Sequence, residues 1–144
     1  MDAERRRALD RSVRALARRD QSAASLRAKL ERAGISEDAQ SDALDTLARA
    51  GYLDDGRFAR DRAAQLAGRG YGDEWIRADL EAQGVAAEAA ERALSELDPE
   101  AERAEREWVR LGGGLRSART LARRGFSEES LEALVAQDPG TGVG

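Results

Sequence analysis

The sequence contains no cysteine and no histidine. Disulfide bonds, thiolate metal sites, cysteine nucleophiles and histidine acid–base catalysis are therefore excluded. The first ten residues are too charged for the apolar segment of a signal peptide. No apolar run reaches the roughly 18 residues that a membrane helix needs. Since a chain without cysteine also suits a reducing compartment, we expect a cytoplasmic protein that has no contact with a membrane.

Large apolar side chains are scarce, and alanine makes up much of the apolar content. The chain has 16 leucines, 2 isoleucines, 5 valines and 2 phenylalanines, against 29 alanines. Alanine is the best helix former, but it buries little area. Charged residues form 36% of the chain and nearly cancel, to a net charge of −4. This composition predicts thin helical modules with small cores and a mixed-sign surface.

A motif of a leucine, a glycine four residues later and an apolar residue directly after it recurs along the chain. The motif is found at Leu30-Gly34-Ile35, Leu80-Gly84-Val85 and Leu121-Gly125-Phe126, and again at Leu47-Gly51-Tyr52. A glycine can take the left-handed conformation that ends a helix, and the next apolar residue then folds back on the leucine. Each motif therefore predicts the end of a helix. Ser36, Ser127 and either Asp54 or Asp55 are predicted to cap the helices that follow.

The predicted helices fall into three groups. The stripe Leu9, Val13 and Leu16 predicts a first helix over about residues 5–19, and Asp98-Pro99-Glu100 predicts a helix with proline at its first position. We predict an all-α fold of three tandem three-helix repeats, stacked into an elongated, curved array. Their predicted limits are residues 5–53, 54–98 and 99–137, followed by a disordered tail over 138–144. Since a module this small cannot bury its own apolar face, stacking on its neighbour should complete the core.

Two features resemble chemical motifs, and both are better explained by helix ends. The acidic pairs Asp54-Asp55 and Glu128-Glu129 stand at predicted helix starts, where they cap amides or complement the helix dipole. The run Gly112-Gly113-Gly114 lacks the Gly-Lys-Ser/Thr ending of a phosphate loop and follows no strand. It predicts a helix stop with a flexible link. We therefore predict no catalytic residue, no metal ligand, no cofactor and no enzymatic activity.

The basic residues are almost all arginine and are unevenly placed. Lys29 is the one lysine among 24 basic residues. Residues 1–71 carry 15 basic and 12 acidic side chains, whereas residues 72–144 carry 9 basic and 16 acidic side chains. Solvated, salt-bridged helix faces are one interpretation. Contact with the phosphates or carboxylates of a partner is the other, since the arginine fork suits both groups. Tyr71 and Trp75 lie close in sequence to several arginines, which fits single-strand binding, with a place in the core as the alternative for Trp75.

The segment Gly51-Tyr52-Leu53-Asp54-Asp55-Gly56-Arg57-Phe58-Ala59 resembles the "G-Y/F-L-D/N-D-x-R-Y/F-A" signature of the RecX family. The flanking segments around residues 16–34, 69–85 and 122–127 are similar to its first, second and third repeats. The resemblance covers about residues 9–136. It implies a curved protein of three repeats and nine helices that binds in the groove of the RecA–DNA filament. It further implies inhibition of RecA recombinase, ATPase and co-protease activities, in DNA repair and the SOS response.

From this resemblance we expect a monomer that binds RecA and the RecA–DNA filament, with weak direct binding to single- or double-stranded DNA. Seven arginines are predicted to supply the attraction: Arg18, Arg19, Arg27, Arg57, Arg60, Arg69 and Arg77. Two alternatives remain open. One is a helical-repeat adaptor with another protein partner, and the other is a DNA-binding protein of the helix-turn-helix kind, in which each glycine-containing corner forms the turn.

Overall fold

The computed structural model describes residues 2–138, and over this range the secondary structure is helical, without β-strands. Three helices form each repeat, and the predicted all-α fold of three tandem three-helix repeats is confirmed. The exact limits predicted for the repeats remain predictions. The helices are α1 (Ala3–Arg18), α2 (Ala23–Arg32), α3 (Glu37–Arg49), α4 (Asp55–Gly68), α5 (Asp73–Ala82), α6 (Ala87–Ser95), α7 (Glu100–Leu111), α8 (Gly114–Arg123) and α9 (Glu128–Gln137).

The second helix of each repeat ends at a glycine, as predicted. After α2, Gly34 has a φ of +78°, and the amide of Ile35 donates to the carbonyl of Leu30 at 3.1 Å. Ile35 is buried against the core, so the predicted apolar contact forms. The same backbone bond closes α5 at Val85 and α8 at Phe126. This stop reverses the chain within a few residues and lays the third helix against the first two.

The stop after α3 differs from the prediction in one respect. The amide of Tyr52 donates to the carbonyl of Leu47 at 2.9 Å, but the Tyr52 side chain is 67% exposed. The next residue, Leu53, is buried in its place and packs with Leu44 and Leu47. The chain leaves α3 in a direction that turns Leu53 inward, so Leu53 and not Tyr52 is the buried apolar residue after this glycine.

The predicted helix caps hold, with a shift of one residue at α7. Side chains of Ser36, Asp54 and Ser127 accept hydrogen bonds from amides in the first turns of α3, α4 and α9. Pro99 is the residue before α7 and not its first helical residue, since its carbonyl accepts the first helical bond, from Arg103 at 3.1 Å. Helix α7 thus begins at Glu100.

Helix α1 faces the core with part of the predicted stripe and with two shorter side chains beside it. Ala8 and Ser12 are the buried residues of the helix, whereas Val13 is 49% exposed and Leu9 and Leu16 are half-buried. The Ser12 hydroxyl donates to the carbonyl of Ala8 at 2.8 Å, which satisfies it inside the repeat. Short side chains on this face allow α1 to lie close to α2 and α3. Leu9 and Leu16 nevertheless pack against the core of the first repeat, so Val13 is the one residue of the predicted stripe that faces away from it.

Each repeat has its own core, contrary to the prediction that stacking completes it. Among the described residues, no cluster of buried apolar side chains contains members of two repeats. Leu26 and Leu30 anchor the first repeat, Ile76 and Leu80 the second and Leu121 the third, each at most 1% exposed. The three helices of one repeat already surround a common apolar centre. Little apolar surface is left for the contact between repeats.

The glycine run between α7 and α8 is a tight turn, and the predicted flexible link is wrong. The amide of Gly113 donates to the carbonyl of Trp108 at 2.9 Å, and α8 begins at the next residue. The amide of Gly114 donates to the carboxylate of Asp138 at 3.1 Å. Asp138, predicted as the first residue of a disordered tail, is thus held in place. The rest of that predicted tail lies outside the described residues.

Within residues 2–138, no helix is long and apolar enough to cross a membrane.

Neighbouring repeats meet at two joints of the same design. In the first joint, the turn after α5 contacts the start of α2: the Ser22 hydroxyl donates to the carbonyl of Gln83 at 2.5 Å. In the second joint, the turn after α8 contacts the start of α5: the amide of Gly72 donates to the carbonyl of Arg124 at 2.8 Å. Helix ends therefore carry the contacts between repeats.

A carboxylate in the first turn of α7 joins three helices. The Glu100 side chain accepts from the amide of Asp73 at 2.8 Å, from the amide of Ser127 at 3.1 Å and from the Ser130 hydroxyl at 2.9 Å. Burial raises the pKa of the Glu100 carboxyl, but these hydrogen bonds outweigh it, so the pKa lies below its ordinary value of 4.5. The ionised form is therefore favoured by the fold.

Replacing this carboxylate should destabilise the protein in a pH-dependent way. Glu100→Gln places an amide N–H against a donor, and we expect the free energy of unfolding at pH 7 to fall by about 1–3 kcal/mol. Because the folded pKa is depressed, this stability is present above about pH 4.5 and is lost as the pH falls through the folded pKa. The two proteins should therefore converge in acid, as measured by denaturant unfolding at several pH values.

Glu102→Gln is the matched control, because Glu102 lies in the same first turn but is exposed. Its change should stay within about 0.5 kcal/mol at every pH. Equal losses in the two variants would show that the helix dipole, and not the Glu100 hydrogen bonds, provides the stability.

The second joint depends on a glycine pair. A Cβ on Gly72 would lie 2.5 Å from the carbonyl carbon and oxygen of Gly125, whereas a Cβ on Gly68 would meet no atom within 4 Å. We expect Gly72→Ala to lower the free energy of unfolding by about 1–3 kcal/mol. Gly68→Ala should raise it by about 0.4–1 kcal/mol, since it restricts the unfolded chain at a helical position. Thermal unfolding measures the stability of both variants. A loss of stability in Gly68→Ala as well as in Gly72→Ala would contradict the proposed steric cause.

Candidate polyanion-binding groove

The strongest concentration of charge is a groove between α1 and α2 in the first repeat. Its volume is about 810 Å³, and Asp10 is the one acidic residue that lines it. Its floor includes the buried side chains of Leu26 and Leu30. Seven basic residues line the groove: Arg7, Arg11, Arg14, Arg18, Arg19, Lys29 and Arg32.

Helical spacing gathers the arginines of α1 on one side. Arg7, Arg11, Arg14 and Arg18 follow one another at intervals of four, three and four residues, which places them on a single helix face. With a rise of 1.5 Å per residue, this stripe extends over about 16 Å. The adjoining face of the helix buries Ala8 against the repeat, so the arginine stripe is held at the surface.

The groove has an excess of positive charge, with seven basic side chains and one acidic side chain. None of its seven basic side chains forms an ion pair within residues 2–138. The Lys29 ammonium donates to the Gln21 side chain at 2.9 Å. Burial lowers the pKa of Lys29, and the positive charges of Arg19, Arg32 and Arg18 lower it further. Such a concentration of one sign creates a field that attracts anions.

The shape and chemistry of the groove indicate the kind of ligand that fits. Arginine presents planar pairs of donors that match phosphate and carboxylate oxygens. A row of them along about 16 Å suits an extended chain with regularly spaced anionic groups better than one small anion. The arginines of α1 are exposed, so a polymer reaches them without a rearrangement of the fold. The groove is therefore suited to a polyanion.

The seven arginines predicted as partner contacts do not form one patch. Arg18 and Arg19 line the groove. Arg27 is exposed and donates to the Gln40 side chain at 3.4 Å, and Arg69 is exposed at the end of α4. Only the first two of the seven therefore share a site with the other unpaired cations.

The other three predicted arginines are engaged within the protein. Arg57 donates to the carbonyls of Gly51 and Tyr52, at 3.1 and 3.2 Å, and also lies 3.6 Å from the Asp20 carboxylate. Ion pairs hold the remaining two: Arg60 lies 3.7 Å from Glu96, and Arg77 lies 3.1 Å from Glu74 and 2.5 Å from Glu91. The hydrogen bonds that Arg77 donates to Glu91 and Glu74 raise its pKa. The guanidinium groups of these three arginines therefore already have partners within the protein.

Five basic residues of the groove were not predicted as partner contacts, although one sequence signal pointed to most of them. Spacing of the arginines themselves at i, i+4, i+7 and i+11 would have identified the α1 stripe. No comparable signal joins α2 to this stripe, because that contact depends on tertiary packing. The missed residues are Arg7, Arg11, Arg14, Lys29 and Arg32.

Most residues of the nine-residue signature have a structural role. Gly51 has a φ of +83° at the end of α3, Leu53 and Phe58 are buried, and Asp54 caps α4. The backbone amide of Arg57 lowers the pKa of the Asp54 carboxyl.

Two further signature residues have other environments. Asp55 accepts a hydrogen bond from the amide of Ala23 at 2.8 Å, so it caps α2 in the first repeat from α4 in the second. Tyr52 lines a second cleft, of about 550 Å³, together with Val13 and Leu16. The signature therefore defines how the first two repeats join, and it leaves one aromatic side chain at the surface.

The aromatic pair near the second joint is partly exposed. The rings of Tyr71 and Trp75 stack with centroids 4.6 Å apart and an interplanar angle of 15°. Tyr71 packs against the core of the second repeat, whereas Trp75 is 44% exposed. A place in the core, the alternative given for Trp75 from the sequence, is therefore wrong, and Tyr71 is the residue of the pair that packs there.

Within the described residues, no group of histidine, cysteine, aspartate or glutamate is arranged to hold a metal ion.

Comparisons with known proteins agree with this architecture. Residues 54–94 match the family model described as "RecX, second three-helix domain". Two solved structures share the fold at low sequence identity. The crystal structure of RecX from Lactobacillus salivarius gives a TM-score of 0.79 at 18% identity, covering 93% of this chain and 96% of that chain. A crystal structure of regulatory protein RecX gives a TM-score of 0.80 at 20% identity, covering 93% of this chain and 74% of that chain.

Full-length relatives extend the match. A protein named Regulatory protein RecX from Stenotrophomonas maltophilia (strain R551-3) is 32% identical over 141 residues, covering 91% of this chain and 86% of its own length. A protein of the same name from Xanthomonas axonopodis pv. citri (strain 306) is 34% identical over 140 residues, covering 90% of this chain and 86% of its own length. With this identity along nearly the whole chain, and with the three-helix repeats described above, the chain belongs to the RecX family.

Proposed function

We propose that this chain is a regulatory protein that binds RecA and RecA–DNA filaments and lowers their recombinase, ATPase and co-protease activities. It acts in the cytoplasm, in DNA repair and the SOS response, and it acts by binding, without a catalytic activity of its own. Membership of the RecX family supports the regulatory role, since the relatives are named regulatory proteins. The groove with seven basic side chains and one acidic side chain is the observation that carries the proposal.

The groove supplies the attraction that such binding needs. A nucleoprotein filament presents phosphates and acidic side chains at regular intervals, and unpaired arginines approach these groups without first breaking an internal ion pair. Repeats that contact several subunits at once add their affinities through effective concentration. Tighter binding to one state of the filament then shifts the filament toward that state.

We retain the seven predicted arginines as proposed contacts and add the groove residues to them. Arg18 and Arg19 belong to both sets. Arg57, Arg60 and Arg77 would exchange an internal partner for an external one, so each should contribute less than a groove arginine.

Direct binding to DNA is a second candidate, and the same groove favours it. An interaction governed by phosphates loses affinity steeply as salt rises, and it is insensitive to base sequence. Fluorescence anisotropy with labelled single- and double-stranded oligonucleotides, without RecA, tests this candidate. Sequence-specific duplex binding would instead support the helix-turn-helix alternative, and association with neither RecA nor DNA would support the adaptor alternative.

Reversing two charges in the groove should weaken the regulation of RecA. The double variant Arg11→Glu/Arg14→Glu changes the net charge of the groove by −4 while leaving the buried face of α1 intact. We expect the concentration that half-inhibits DNA-dependent ATP hydrolysis by RecA to rise roughly tenfold or more. The same variant should co-sediment less with RecA–DNA filaments.

Arg116→Glu/Arg119→Glu is the matched control, with the same spacing and the same change of charge on exposed positions of α8. It should inhibit like the unmodified protein. Equal loss in both double variants would show that net charge matters and the groove does not. If the unmodified protein neither binds RecA–DNA filaments nor alters ATP hydrolysis, the proposed function itself is wrong.

A further inference from the structure

The two joints between repeats use corresponding positions but different chemistry. In each joint, a carboxylate in the first helix of one repeat accepts a hydrogen bond from a backbone amide. That amide belongs to the first residue of the second helix in the preceding repeat. Asp55 accepts from Ala23 at 2.8 Å in the first joint, and Glu100 accepts from Asp73 at 2.8 Å in the second. The remaining contacts of the two joints can therefore be compared position by position.

Main-chain groups pair directly across the second joint. Besides the bond from Gly72, the amide of Glu74 donates to the carbonyl of Gly125 at 3.1 Å. This approach requires glycine on both sides, because a Cβ on Gly125 would lie 2.5 Å from the amide nitrogen of Trp75. Backbone pairing with no side chain between the two turns leaves little room for relative movement.

A buried arginine closes the second joint further. Arg103 is 5% exposed and donates to the carbonyl of Tyr71 at 3.1 Å, to the carboxylate of Asp73 and to the carbonyl of Asp98 at 3.0 Å. Opening this joint would remove the Tyr71 and Asp73 partners of a buried guanidinium, which costs free energy. The third repeat is therefore fixed to the second by charge-assisted bonds as well as by the backbone.

The first joint has no equivalent of either feature. Where the second joint has a main-chain donor, the first has the Ser22 hydroxyl, and the Ala24 methyl lies against Gly84. Phe58 takes the place of Arg103 and packs into the core of its own repeat. The ion pair of this joint, between Asp20 and Arg57, is 3.6 Å long with side chains 34% and 38% exposed, and such pairs contribute little.

We infer that α4–α9 form one rigid body and that the first repeat, α1–α3, pivots on it at residues 50–54. The pivot falls between Leu53, buried in the first repeat, and Asp54, the cap of α4, and hinges are commonly found at such ends of elements. The basic groove lies wholly within the pivoting repeat. Its orientation relative to the other six helices therefore changes without any change in its own geometry. This inference does not depend on the identity of the partner.

Pulsed electron–electron double resonance measures distances between spin labels and tests the pivot. The lack of cysteine in the chain makes the labelling specific. The pair Ala28→Cys/Ala64→Cys reports on the first joint, and Ala64→Cys/Ala122→Cys reports on the second. All three positions are exposed and lie on helices. We expect a broader distance distribution for the first pair than for the second. Equal widths, or a broader distribution across the second joint, would overturn the inference.

Removing the two hydrogen bonds of the first joint provides a second test. Ser22→Ala/Asp55→Ala should raise the population of distances outside the main peak roughly tenfold for the first pair, with no change for the second pair. Circular dichroism checks that the variant remains helical. An unchanged first-pair distribution in a folded variant would show that these bonds do not hold the joint and would overturn the inference. Should the variant unfold, the comparison of the two pairs in the unmodified chain still decides the question.

Discussion

The left-handed glycine at the end of each repeat's second helix is the constraint on which the rest of the fold depends. Gly34, Gly84 and Gly125 have φ values of +78°, +78° and +88°, a region that side-chain-bearing residues rarely occupy. The turn bends the chain back immediately, so a helix of only ten residues is followed by another that packs on it. Short, closely packed helices then enclose a core of few large side chains.

Since each repeat completes its own core, the repeats are joined by polar groups. Helix ends offer amides that have no partner inside their own helix, and here carboxylates and carbonyls of the neighbouring repeat accept from them. Asp55 and Glu100 each cap the second helix of the preceding repeat. Hydrogen bonds are directional, so this kind of contact fixes an angle between repeats where an apolar contact would permit sliding. Small differences in the donors then suffice to make one joint firmer than the other.

The distribution of arginine shows how one residue type serves two purposes. Along α4, α5 and α7, arginines such as Arg62 and Arg103 bond to carboxylates of neighbouring helices or repeats. Along α1, in contrast, the arginines that line the groove form no ion pair within residues 2–138: Arg7, Arg11, Arg14 and Arg18. Like charges held close together oppose folding, and an arrangement that costs stability is typical of a binding surface. This is why the groove is the surface that we propose for binding a partner.

The sequence by itself determined the helices, their stops, the three-fold repeat and the family. These features depend on local chemistry: Gly34 ends α2 and Ser36 caps α3 whatever else the chain does. Tertiary structure decided which face of α1 is buried, that each repeat closes its own core, and that Lys29 and Arg32 join the arginines of α1 in one groove. It also decided that Arg57, Arg60 and Arg77 have internal partners. Such contacts join residues far apart in sequence, or depend on which way a helix is rotated. Local spacing contains no information on either, because both follow from how the helices pack.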